Sequence, residues 1–68
     1  MSHLAAALEK HEIRRSRFAV LAGVDKATVT RWAQSKVPAE RVVELERLTG
    51  ISRHDLRPDI FGKPEDAS

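Results

Sequence analysis

Between positions 14 and 36 the sequence sets Arg14, Arg15, Arg17, Lys26, Arg31 and Lys36 against Asp25 alone. The hydroxyls of Ser16, Thr28 and Thr30 stand among them. Guanidinium, ammonium and hydroxyl groups all donate hydrogen bonds, and the first two carry charge. The chemistry this stretch is equipped for is therefore recognition of a polyanion. The flanks differ. Residues 1–13 carry one base against two acids, and residues 37–68 carry five bases against seven acids. A net charge of +2 hides that concentration. Charge alone leaves two meanings open, a polyanion-binding face and a merely solvated one.

Other chemistries find little support. His3, His11 and His54 are spaced too far apart for a compact metal motif, and with no Cys the thiolate zinc sites and disulfides are excluded. Glu40 and Glu44 share a helix face, but nothing around them suggests the pocket that general acid–base work needs. Ser16, Ser35 and Ser52 lack a neighbouring base and orienting group. The expectation is a protein without catalytic residues, metal or cofactor, and so not an enzyme. Trp32 has the ring for stacking on nucleic acid, yet its spacing puts it on the inner face of its helix, where core packing claims it.

Sixty-eight residues make one domain, expected over 1–61, with 62–68 as a flexible C-terminal tail. The longest apolar run, Phe18 to Val24, is far short of the roughly 20 residues that span a bilayer. With no apolar secretory stretch at the N-terminus, a cytoplasmic protein without membrane contact is expected. Helical signals dominate, and no segment alternates as a strand would. Ser2 caps a first helix from His3 to His11 or Glu12. A second covers Arg15 to Ala22 and ends at Gly23, which accepts the left-handed conformation. Asp25 caps a third from Lys26 to Gln34. Pro38 opens a fourth as its first residue, with Ala39, Val42, Leu45 and Leu48 recurring beside Val43, and Gly50 closes it in a Schellman end before Ile51. Ser52 and Asp55 mark a short fifth from Arg53 to Leu56. Pro58 biases Arg57 out of the helical region. The fold class is all-α, a compact bundle of about five helices.

The span 15–34 is thus helix, glycine turn, helix. A helix-turn-helix needs a small residue where its helices cross, a glycine in the turn, and apolar residues on both inner faces. Ala19, Gly23 and Val29 stand at that spacing, and Phe18, Ala22, Val24 and Trp32 fill the other inner slots. This stretch resembles the helix-turn-helix of phage Cro and repressor proteins. Val37-Pro38-Ala39-Glu40-Arg41-Val42, Leu48-Thr49-Gly50-Ile51-Ser52 and Leu56-Arg57-Pro58-Asp59-Ile60-Phe61 resemble the YdaS-like branch of Cro-type regulators. The resemblance covers residues 4–61 and implies a lambda-repressor-like fold and a cytoplasmic, sequence-specific DNA binder, often dimeric on a palindromic operator and often encoded in prophages. Two positions depart from the pattern. Arg14 and Arg15 replace the usual Ser or Thr followed by Gln. Val20 and Leu21 fill slots that are often polar, and are expected to be covered by the first helix or by a partner.

On this reading Lys26, Ala27, Thr28, Thr30 and Arg31 face base edges in the major groove. Lys26 and Arg31 donate to guanine, Thr30 reaches a base edge or phosphate, and the Ala27 or Thr28 methyl meets thymine. Arg14, Arg15, Ser16, Arg17 and Lys36 are the phosphate-binding candidates. Leu56, Ile60 and Phe61 either fold back on the core or form a dimer or partner surface. A homodimer on double-stranded DNA would place two recognition helices about 34 Å apart, on half-sites about 10 bp apart. The expected role is a repressor that occludes a promoter. An antitoxin or autoregulator with a partner protein, and a protein-interaction module built on the same scaffold, are the alternatives.

Overall fold

The structure is a computed structural model that describes residues 2–63. Six helices are present among them, without strands: α1 (His3–Lys10), α2 (Arg15–Ala22), α3 (Lys26–Gln34), α4 (Ala39–Thr49), α5 (Arg53–Leu56) and α6 (Pro58–Phe61). The Cα radius of gyration is 10.8 Å, against about 11 Å for a compact chain of this length. Among the described residues no helix is long and apolar enough to cross a membrane. Of the expected C-terminal tail, residues 64–68 lie outside the described part. Gly62 is held, since its carbonyl lies 3.2 Å from His54 Nδ1.

Local chemistry accounts for most boundaries. Ser2 Oγ accepts the Ala5 N–H at 3.1 Å, and Asp25 Oδ1 accepts the Thr28 N–H at 2.8 Å. Each satisfies an amide that the helix itself leaves unpaired. α1 and α2 end in the same pattern. Beyond α1, Glu12 N–H bonds the Glu9 carbonyl and Ile13 N–H the Leu8 carbonyl; beyond α2, Gly23 bonds Val20 and Val24 bonds Ala19. These are Schellman ends, with Ile13 and Val24 tucked against the core. The left-handed residue is Gly23 in one (φ 72°) and Glu12 in the other (φ 55°).

Three expectations need correction. Pro38 is the cap of α4 rather than its first helical residue. Gly50 does not close a Schellman end. Its N–H bonds Glu46 at 2.9 Å, while the Thr49 hydroxyl accepts the Ile51 N–H and donates to the Leu45 carbonyl. A sixth helix follows the fifth, because Pro58 starts a new turn at its first position, where its missing N–H costs nothing.

The core is a single cluster. Leu4 and Leu8 of α1, Phe18 of α2, Val29 and Trp32 of α3, Val42 and Leu45 of α4, and Val37, Ile51 and Leu56 are all buried. α2 packs on α3 and α4, α1 on α3 and α5, and α5 on α4 and α6. Leu56 is wholly buried, so it belongs to the core and not to an interface. Phe61 is partly buried against the same cluster, while Ile60 is 49% exposed. Val20 is 71% exposed and Leu21 half-buried, so the expectation that Val20 is covered within the chain fails. The α2 inner face is taken by Phe18, Ala19 and Ala22, and Val20 lies about 200° around the helix from Phe18.

Candidate nucleic-acid interface

α2 and α3 meet across the left-handed Gly23, with Phe18, Ala19 and Ala22 of one packed on the same core as Val29, Trp32 and Ala33 of the other. That packing fixes which way α3 points its remaining residues. Lys26, Ala27, Arg31 and Gln34 are exposed, and Thr28 and Thr30 are half-buried. The helix is anchored at its start by Asp25, whose carboxyl is held below its ordinary pKa by hydrogen bonds from Thr28 and by the Arg31 charge. Arg31 Nη2 also donates to Thr28 Oγ1 at 3.3 Å, which draws the guanidinium along the helix face.

Arg14, Arg15, Ser16 and Arg17 are all exposed at the start of α2. Arg14 is the residue before the helix, and no side chain caps it. The first amides of α2 therefore lack the side-chain acceptor that Ser2 and Asp25 give to α1 and α3, and they form the positive end of the helix dipole. Lys36 is also exposed, two residues past α3, with its Nζ 4.0 Å from Asp59 Oδ2.

The cations divide unevenly along the chain. Among the described residues Lys10, Lys36, Arg53 and Arg57 each make an ion pair with a carboxylate, whereas Arg14, Arg15, Arg17, Lys26 and Arg31 make none, and neither do Arg41 and Arg47 of α4. A face built for stability by ion pairing would mix signs. This one leaves five cations without an ion-pair partner along α2 and α3, with Asp25 alone among them to offset the charge, which is an arrangement that concentrates positive potential.

Two features escaped the sequence reading. Gln34 lies on the Ala27–Arg31 side of α3, and its i+3 spacing from Arg31 already carried that signal. Arg41 of α4 sits over the Trp32 ring, 5.5 Å from its centroid. Trp32 is thus covered on one side by Arg41 and buried on the rest, as its core assignment requires. No local pattern announced that contact, because it joins two helices.

The histidines lie along the seam of α1 with the C-terminal turns. His11 Nε2 is 3.0 Å from Asp55 Oδ2, His3 Nε2 is 3.7 Å from Asp59, and His54 is directed at Gly62. A shallow cleft of about 230 Å³ opens there, with Ala6, Ala7 and Pro58 among its lining. It shares no residue with the basic face.

No curated protein and no solved structure matches the chain. A family model described as bacterial toxin YdaS matches residues 14–65, a span that begins at the uncapped start of α2 and takes in every later helix. That assignment is compatible with a toxin–antitoxin-like or a regulatory protein. The match covers more than half of the 68 residues, and the chain belongs to the bacterial toxin YdaS family.

Proposed function

We propose that this chain is a non-enzymatic, sequence-specific binder of double-stranded DNA that regulates transcription in the manner of a Cro-type repressor. α2, Gly23 and α3 act as a lambda-repressor-like helix-turn-helix, with α3 in the major groove. The observation that carries the reading is the face of unpaired cations, held rigid because the reverse sides of both helices are core. Lys26 and Arg31 present donors of the kind that read guanine, and Thr28, Thr30 and Gln34 add polar groups beside them. Arg14, Arg15, Ser16 and Arg17 surround an uncapped helix start, a place suited to a backbone phosphate. The protein acts as a dimer on a palindrome and excludes polymerase by occupancy.

A test uses Lys26→Gln and Arg31→Gln, both at exposed positions away from the core. The double variant retains its helical circular dichroism and binds duplex DNA at least tenfold more weakly, with a shallower dependence on salt. Unchanged affinity would instead favour a protein-interaction module. The family description supports a second reading, in which a partner protein docks on the exposed Val20, Val43, Leu48 or Ile60. A stable complex with a partner that leaves DNA affinity at background would support it.

A further inference from the structure

We propose that Arg57, Lys36 and His3 form an anion site that the chain's own Asp59 carboxylate fills, and that a DNA phosphate competes with Asp59 for Lys36. This rests on the DNA-binding reading and adds an internal brake to it. Three cationic or cation-forming side chains converge on one carboxylate. Arg57 donates from Nε to Oδ1 at 3.0 Å and from Nη2 to Oδ2 at 2.8 Å. His3 Nε2 is 3.7 Å from Oδ1, and Lys36 Nζ is 4.0 Å from Oδ2. The Arg57 pair holds the Asp59 carboxyl down at about 2, so it stays charged at any working pH.

The contacts are unequal, and the inequality assigns their roles. Arg57 is 11% exposed, and its remaining donor, Nη1, bonds the Val37 carbonyl at 2.6 Å. It therefore fastens α6 to the α3–α4 loop beside Lys36. Lys36 is 64% exposed and at the outer limit of ion-pair distance. Exposed pairs of this kind are weak, so Lys36 can leave Asp59 for a stronger anion while Arg57 stays. Lys36 is also set apart from the rest of the basic segment. Among the described residues it alone of the six cations between positions 14 and 36 has a carboxylate partner.

The experiment is a double-mutant cycle with Asp59→Asn, Lys36→Gln and the pair, read by fluorescence anisotropy on a labelled 20-bp duplex from 50 to 300 mM KCl. Asn keeps an oxygen for Arg57. Asp59→Asn is expected to bind about twofold to fivefold tighter at 50 mM salt, with the gain shrinking as salt rises and absent in the Lys36→Gln background. Equal affinity of Asp59→Asn and wild type, or a gain that persists without Lys36, overturns the proposal while the DNA reading stands. Failure of the wild-type protein to bind the duplex at 50 mM salt sinks both. Should Asp59→Asn fail to fold, the carboxyl carbon resonance of Asp59 in the wild-type protein decides. It shifts on titration with the duplex if Lys36 departs, and an unmoved resonance in the bound state overturns the proposal.

Discussion

Glu12 and Gly23 hold the same left-handed position in the same kind of helix end, and only one of them is suited to it. A side chain in that conformation costs about 1–2 kcal/mol, and glycine escapes the cost. No atom lies within 4 Å of where a Cβ on Gly23 would be, so Gly23→Ala is penalised by backbone strain alone. We expect it to lower the thermal midpoint by about 4–16 °C, and Glu12→Gly not to lower it. Equal losses in the two variants would show that the turn, not the residue, sets the energy. Charge chemistry at single residues gives a second expectation. Asp59 and Glu46 are held below their ordinary values by hydrogen bonds from Arg57 and Arg53 respectively. Burial raises Asp55, but bonds from His11 and Lys10 outweigh it. A carboxyl with a depressed folded pKa stabilises fully above its unfolded value and loses that contribution as pH falls through the folded one. For Asp59 the window runs from about pH 4, near the ordinary 3.8, to about 2. Thermal midpoints between those limits should fall less steeply in Asp59→Asn than in the wild-type protein.

At the scale of elements, α2 and α3 are determined by their ends and by one shared interior. Removing the Asp25 cap with Asp25→Ala should cost about 1 kcal/mol, seen as a lower midpoint in urea. Trp32→Ala removes the largest ring from the core and leaves Arg41 without its platform, at a cost of about 3–5 kcal/mol. In a domain of this size that is most of the stability, and the variant should be largely unfolded at 37 °C by circular dichroism. Val20→Ser, at a site 71% exposed, should change stability by less than about 0.5 kcal/mol. The ends of α2 and α3 were legible because Asp25 and Gly23 act on their own neighbours in the chain. Val20 is not covered by the first helix, as the helical period alone, which puts it opposite Phe18, already indicated. α6 had no period to read in four residues, and what fastens it, Arg57 on the Val37 carbonyl, joins positions 20 residues apart. The same limit hid Arg41 over Trp32. Sequence shows what a residue does to its neighbours within a turn or two, and contacts between elements appear only once the elements pack.

Across the whole molecule, the charges are sorted. Lys10 of α1, Arg53 of α5 and Arg57 between α5 and α6 are paired with Asp55, Glu46 and Asp59, whereas the cations of α2 and of the start and middle of α3, like Arg41 and Arg47 of α4, make no ion pair among the described residues. That sorting was visible as the excess of bases between Arg14 and Lys36, although the sequence left open whether they were paired. On it rests the proposal that duplex DNA is the partner. The most direct test is selection from a random duplex-DNA pool at near-physiological salt with excess non-specific competitor. The expected result is enrichment of a palindrome whose half-sites lie about 10 bp apart, lost with Lys26→Gln and Arg31→Gln. A pool that stays random, with binding that vanishes as salt rises, would contradict it.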